Sequence, residues 1–288
     1  MQNTGSTHER DFHAGHVTAP PGRAKPKQRN SARRICTRRT FAILAALGCS
    51  LLAACSTPGP SHAFLYSPAL GNTVRDLDPA TGAELSAVPA FVKQDETVSG
   101  MVYDPYTDHL FLRIFPGRFV RVIDRPDRSI KREFVSINLA IGGHDFAIRS
   151  TDRHFFFSDA SGPVLIETNI NGDFVRRIAL AGLSAPVHGV AYDMVNKELL
   201  VLAEPLSDRV HRFAPDGTAR GQIDLATPVR GISLGYDPEA RTLYASLADG
   251  SAIGAFDRQG RLLRRLPRPA PDQDVFLDLG PRSLLRLF

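Results

Sequence analysis

VHGVAYDMVNKELLVLA, Val187–Ala203, decides the fold. It is a short apolar run, a polar turn and a second apolar run. The phrase returns as VSGMVYDPYTDHLFLRI at Val98–Ile114, GHDFAIRSTDRHFFFSD at Gly143–Asp159 and VRGISLGYDPEARTLYASL at Val229–Leu247. Each copy is followed by a third apolar run and a tight turn: Ala80-Thr81-Gly82, Asp127-Arg128-Ser129, Asn171-Gly172, Asp216-Gly217 and Gln259-Gly260. Asn-Gly and Asp-Gly favour type I′ hairpins, whose two central residues both take positive φ, so type I′ turns are expected. A fourth run lies behind each turn, as in TARGQIDLA (Thr218–Ala226) and RLLRRLP (Arg261–Pro267).

Taking Ser99, His144, His188, Arg230 and Asp274 as equivalent entries to the first strand gives spacings of 45, 44, 42 and 44 residues. A period near 44 with four strands per unit is the signature of a β-propeller blade. Pro and Gly punctuate the chain at strand-length intervals and no helical period shows. The expected fold is all-β, a propeller of four-stranded blades over residues 63–288. AFLYS, NTVRDLD and ELSAV supply three strands near the start, and DVFLDL at Asp274–Leu279 supplies the fourth from the other end. That closes five blades and removes the free sheet edges. SLLRLF at the C-terminus is then one strand too many, which keeps six blades as the alternative. A terminal Phe288 also suits the last strand of an outer-membrane barrel, but the turn pattern disfavours a barrel.

No WD dipeptide occurs, and the chain has no Trp. The turn phrases Tyr103-Asp104-Pro105-Tyr106-Thr107-Asp108-His109-Leu110-Phe111 and Tyr236-Asp237-Pro238 resemble those of bacterial YVTN/NHL-type propellers. The resemblance implies the fold and brings no catalytic motif with it.

Upstream the chain reads as an address. Arg33, Arg34, Arg38 and Arg39 precede a 14-residue apolar run, Phe41–Ala54, too short for the roughly 20 residues that cross a bilayer. Basic, apolar and small-residue segments in that order make a secretory signal. Leu52-Ala53-Ala54-Cys55 resembles a bacterial lipobox. The resemblance implies a diacylglycerol on the Cys55 sulfur, cleavage just before it by a signal peptidase, and a membrane lipid anchor. Thr37-Arg38-Arg39-Thr40-Phe41 resembles a twin-arginine export motif, in which Arg38 and Arg39 are the recognised pair. Leu44 stands where that family often has Lys, so the general Sec route stays open. Residues 1–32 are polar, Pro/Gly-rich and aperiodic, and read as disordered. They make either a long leader or a misassigned start, with Val17 a candidate initiator. The organisation expected is a leader and signal peptide over 1–54, a tether over 55–62 and the propeller over 63–288. Ser56 after the cysteine favours the outer membrane, facing the periplasm.

The leader carries +7 against a whole-chain net charge of +5, which leaves −2 for the remainder. The basic pI therefore belongs to the address, and nucleic acid is not an expected partner. Cys36 and Cys49 lie in the leader and Cys55 is the lipidation site, so no disulfide is expected in the folded part.

In a propeller the first strands line the channel, which makes Ser99, His144, His188, Arg230 and Asp274 a candidate polar ring. Two His and an Asp suit a divalent metal; Arg230 with the two His suits an anion instead. The plain alternative is that these residues cap strand ends. Asp145 follows His144 and either orients its imidazole or faces solvent. His109 and His154 are repeat equivalents before a second strand, and Phe155-Phe156-Phe157 reads as buried strand. Arg176-Arg177 and Arg264-Arg265 read as solvated outer-edge residues or a patch for anionic headgroups. No nucleophile elbow, phosphate loop or HExxH is present. The reading is a non-catalytic envelope lipoprotein that binds a small ligand or an envelope protein, with no cofactor assigned. The alternative is a propeller hydrolase or lactonase with a channel metal, which calls for several channel carboxylates where this ring offers Asp274.

Overall fold

In the computed structural model, residues 59–135, 139 and 143–281 are described. The leader, Cys55, Arg38, Arg39 and the SLLRLF segment lie outside them. Among the described residues, twenty strands form five four-stranded antiparallel sheets. β1 (Ser61–Tyr66), β2 (Thr73–Leu77) and β3 (Glu84–Pro89) belong to blade 1. Blade 2 is β4 (Thr97–Asp104), β5 (His109–Phe115), β6 (Phe119–Asp124) and β7 (Ser129–Val135). Blade 3 is β8 (Phe146–Arg149), β9 (His154–Ser158), β10 (Val164–Thr168) and β11 (Phe174–Ala179). Blade 4 is β12 (Gly189–Asp193), β13 (Glu198–Leu202), β14 (Leu206–Phe213) and β15 (Ala219–Arg230). Blade 5 is β16 (Gly235–Asp237), β17 (Thr242–Ser246), β18 (Ile253–Phe256) and β19 (Leu262–Leu266), and β20 (Phe276–Pro281) returns to blade 1.

β20 pairs with β1, Phe64 opposite Asp278, so the C-terminal run is the innermost strand of the first blade. The ring is a five-bladed propeller. The innermost strands β4, β8, β12, β16 and β20 pack one on the next around the channel. β1 takes in Ser61 and His62, two residues inside the stretch read as tether; His62 is buried, with Nδ1 2.6 Å from Asp76 Oδ1.

Apolar faces of neighbouring blades make the core. Phe155, Phe156 and Phe157 on β9 are fully buried and serve both sides. Phe155 and Phe157 pack with Phe111, Phe146 and Ile166, while Phe156 packs with Ile178 and Val190. A strand sends alternate side chains to opposite faces, and a blade has a neighbour on each face. That is why these strands read as continuous apolar runs.

The outer hairpins are not type I′. Gly172 and Gly217 have φ of 86° and 91°, but Asn171 and Asp216 keep negative φ. Each loop is a longer turn in which the glycine N–H bonds three residues back, to Asn169 O or Ala214 O. The following strand resumes after a register shift. The first polar residue pins the loop: Asn169 Oδ1 accepts from the N–H of Asn171 and Asp173, and Asp257 Oδ1 from Gln259 and Arg261. Such side-chain acceptors compete with ladder bonds and favour the wider turn.

These glycines also join the blades. A Cβ on Gly172 would meet the Phe134 ring of blade 2, one on Gly217 the Ala179 carbonyl of blade 3, and one on Gly82 would lie 2.7 Å from Pro267 Cδ of blade 5. Outer arginines add a second seam. Arg132 donates to Ile170 O, Arg176 to Pro215 O and Arg264 to Pro79 O, each in the next blade. Arg176 and Arg177 are exposed but ion-paired, at 2.6 Å, with Glu167 and Asp159.

Candidate functional site

The inner strands run through the channel in one direction, so their starts share one mouth. There the His144 ring stacks on His188, centroids 4.5 Å apart and planes 27° from parallel. The backbone sets this contact: Asp145 N donates to His188 O (3.1 Å) and His188 N to Leu202 O (2.9 Å). Burial lowers both imidazole pKa values. For His144 the neighbouring His188 and Arg113 push the same way, and Asp274 opposes them. The pair is therefore neutral at pH 7, with two ring faces and two nitrogen edges half-buried at the mouth.

Arg230 does not hold the slot assigned to it. Pairing across the inner two strands aligns Val102, Ala147, Ala191, Gly235 and Asp278, opposite Phe111, Phe156, Leu200, Tyr244 and Phe64. Counting back three residues, the equivalents of Ser99, His144 and His188 are Ile232 and Val275. Arg230 is the last residue of β15, paired with Leu206, and Asp274 is exposed just before β20. Val229-Arg230-Gly231 looks like Val187-His188-Gly189, but the long outer strand of blade 4 absorbs it. Ser99 sits at a bulge of β4, where Oγ donates to Arg113 O at 3.5 Å.

The backbone next to Arg230 does pass the same mouth. A Cβ on the adjacent Gly231 would lie 3.6 Å from His188 Cβ. The guanidiniums of Arg230 and Arg268 both lie against the Asp249-Gly250 turn. A Cβ on Gly250 would lie 3.4 Å from Arg230 Nη2 and 3.1 Å from Arg268 Nη1. Arg268 Nη2 donates to Gln273 O, whereas its buried Nε and Nη1 have no hydrogen-bond partner among the described residues. Arg268 feels burial first and then the Arg230 charge, both lowering its pKa, against Asp274, Asp272 and Asp249. Sequence reading missed Arg268. It lies between Pro267 and Pro269 in a connector outside the repeat, where no spacing argument reaches.

Asp145 neither orients His144 nor faces solvent. It is 1% exposed. Its Oδ2 accepts from Leu234 N (3.1 Å) and Val190 N (3.2 Å), which ties blade 3 to blades 4 and 5. Gly100 and Gly189 stand at its equivalent positions, and a Cβ on either would crowd the inner strands, at 3.0 Å from His144 O and 2.8 Å from Gly231 O. Burial pushes the Asp145 carboxyl well above the ordinary range, with Asp278 adding to the shift. Arg113 lies beneath, its guanidinium donating to His144 O (3.0 Å) and Ser158 O (3.2 Å); burial pulls it down to about 10. The channel carboxylates are thus Asp145 and Asp278, with Asp274 outside. Among the described residues no group of three or more His, Cys, Asp and Glu is close enough to hold a metal ion.

His109 and His154 open β5 and β9 and face acids, Asp124 at 3.5 Å and Glu167 at 2.8 Å, as His62 faces Asp76. They are repeat features of the blades, away from the mouth.

No protein-family model and no curated protein sequence matches the chain. Solved structures do. A chain of a nidogen/laminin complex is similar over 78% of this chain and all of its own length, at 11% identity and a TM-score of 0.54. Kuenenia stuttgartiensis hydrazine synthase (14% identity, TM-score 0.43) is similar over 62% of this chain, which spans about half, 51%, of that protein. Glutaminyl cyclase of Myxococcus xanthus is similar over 67% of this chain and 74% of its own, at 14% identity and a TM-score of 0.46. At such identities the likeness is one of fold, and the propeller fold hosts many activities.

Proposed function

We propose that this chain is a lipid-anchored envelope protein whose propeller binds a small anionic ligand at the His144–His188 mouth without transforming it. What favours the reading is a stacked, half-buried imidazole pair at the mouth and, beside the Asp249-Gly250 turn, two guanidiniums, Arg230 and Arg268, the second with unpartnered buried donors among the described residues. Buried donors demand acceptors, and planar guanidinium suits a carboxylate or phosphate. The alternative of a hydrolase with a channel metal asks for a richer set of converging carboxylates than Asp145 and Asp278 supply, so binding is preferred. Native mass spectrometry of protein purified from its envelope tests it. Wild type should carry an added anionic mass that Arg230→Ala and Arg268→Ala lose; equal retention by both variants would sink the reading.

Location rests on the sequence of the leader. Under this proposal Cys55 carries the lipid, the protein faces the periplasm from the outer membrane, and its YVTN/NHL-like turns belong to an exported propeller. Signal peptidase and the lipoprotein-processing enzymes are its maturation partners. Cys55→Ala should leave an uncut or soluble precursor; fractionation like wild type would contradict the anchor. Arg38→Lys with Arg39→Lys should hold the precursor in the cytoplasm, and normal export would instead assign the Sec route.

A further inference from the structure

At the other end of the channel, where the inner strands leave it, lies a cavity of about 30 Å³. Its wall includes Val102, Ala147, Ala191 and Asp278 from the aligned inner-strand layer. Four of the five residues in that layer are Val, Ala, Ala and Gly. The repeat therefore predicts a small apolar residue where Asp278 stands, and Asp278 is the one carboxylate on the cavity wall. Its Oδ2 accepts from Tyr103 N at 2.7 Å. No Lys, Arg or His lies within ion-pair distance of it among the described residues. Burial, with no cation to offset it, raises the carboxyl to about 7. Asp145, the other channel acid, supplies no compensating positive charge. Asp278 is half-buried beside the cavity; Tyr103 N of blade 2 needs an acceptor there but not a charge, and a carboxylate charge with no cation beside it is costly.

We propose that this end of the channel binds a primary ammonium group, from an alkylamine or a lysine side chain, with Asp278 as its counter-ion. The size fits. The cavity holds about one water, and an ammonium head is a compact donor of that order on a slender stem. A quaternary ammonium has no N–H to give the carboxylate, and a guanidinium is a broader planar fork. The rim supplies the rest: Tyr192, Met194, Pro105 and Pro238 are half-buried around the opening and offer an apolar, partly aromatic sleeve for methylenes. The site is separate from the His144–His188 mouth and shares no residue with it.

The test is an NMR titration of the full-length chain at pH 8 with n-butylammonium, Nα-acetyl-lysinamide, n-butanol and tetramethylammonium. The two primary amines should shift the Tyr103, Ala147 and Ala191 amides saturably; n-butanol and tetramethylammonium should not. Tighter binding by n-butylammonium assigns a free amine, and tighter binding by the lysine derivative a protein side chain. Asp278→Asn keeps an oxygen for Tyr103 N and should weaken both amines at least tenfold. Absence of saturable shifts in wild type, equal shifts with n-butanol, or undiminished binding by Asp278→Asn would each overturn the proposal.

Discussion

His144 and His188, 44 residues apart in sequence, stack face to face at the start of neighbouring inner strands, with ring centroids 4.5 Å apart. Protonating one imidazole places a charge in a half-buried site against its neighbour and above Arg113, and both folded pKa values lie below 6.5. A histidine with a depressed folded pKa stabilises the fold above its unfolded value and loses that contribution as pH falls through the folded one. Proton NMR should give midpoints below 6.5 for both rings. His188→Phe keeps a stacked ring and removes the repelling charge, so it should raise the His144 midpoint. Midpoints at or above 6.5 would show that the pair is solvated.

Asp145 straps three blades together through the N–H groups of Val190 and Leu234. Asp145→Ala strands the N–H groups of Val190 and Leu234 and opens a void, which should cost about 3 kcal/mol. Asp145→Asn retains an acceptor and removes a costly charge, and should cost about 1 kcal/mol or less. Urea unfolding of the two variants measures the difference. Equal losses would mean that the carboxyl's hydrogen bonds do not hold the blades.

Asp278 gives the fold an unusual pH slope. Its carboxyl is raised from 3.8 to about 7. The folded state thus binds the proton more tightly, and the contribution is fully present below about pH 4 and lost as pH rises to 7. Asp278→Asn removes that slope. The variant's stability relative to wild type should rise between pH 4.5 and pH 8, measured as urea midpoints at the two values. A difference that stays constant with pH would contradict the shifted carboxyl.

The hairpin glycines separate backbone strain from packing. Gly217 has φ of 91° and a Cβ there runs into the Ala179 carbonyl of the next blade; Gly221 has φ of 105° with nothing within 4 Å. Gly221→Ala should cost about 1–2 kcal/mol from strain alone, and Gly217→Ala about 2 kcal/mol more, because a seam between blades must open. Thermal or urea midpoints decide it.

Architecture was legible because it repeats. The Val98, Gly143, Val187 and Val229 phrases each encode two inner strands, and DVFLDL supplied the closing strand of blade 1. The site was less legible because its residues come from departures from the repeat. His144 and His188 do share one slot, so spacing found them. Arg230 was matched by local wording, Val-Arg-Gly against Val-His-Gly, and only the register of β15 with β14 shows it to be an outer-strand residue. Arg268 sits in a connector with no counterpart in other blades. Asp278 was readable in principle, as an acid in a column of Val, Ala, Ala and Gly, but that column appears only once β20 is paired with β1. Type I′ turns were expected from Asn-Gly and Asp-Gly, yet the preceding Asn169 and Ala214 positions close a wider loop.

The proposed anion site comprises His144, His188, Arg230 and Arg268. Inorganic phosphate titrated into the full-length chain, with the two His ring protons and the two Arg Nε–H signals observed together, tests it most directly. Wild type should show saturable shifts at all four side chains. Arg230→Ala should lose them, with a thermal midpoint within about 2 °C of wild type, since a half-exposed pocket cation contributes little packing. No saturable shift, or a fall in midpoint of more than about 5 °C that marks Arg230 as a structural strut, would contradict the site.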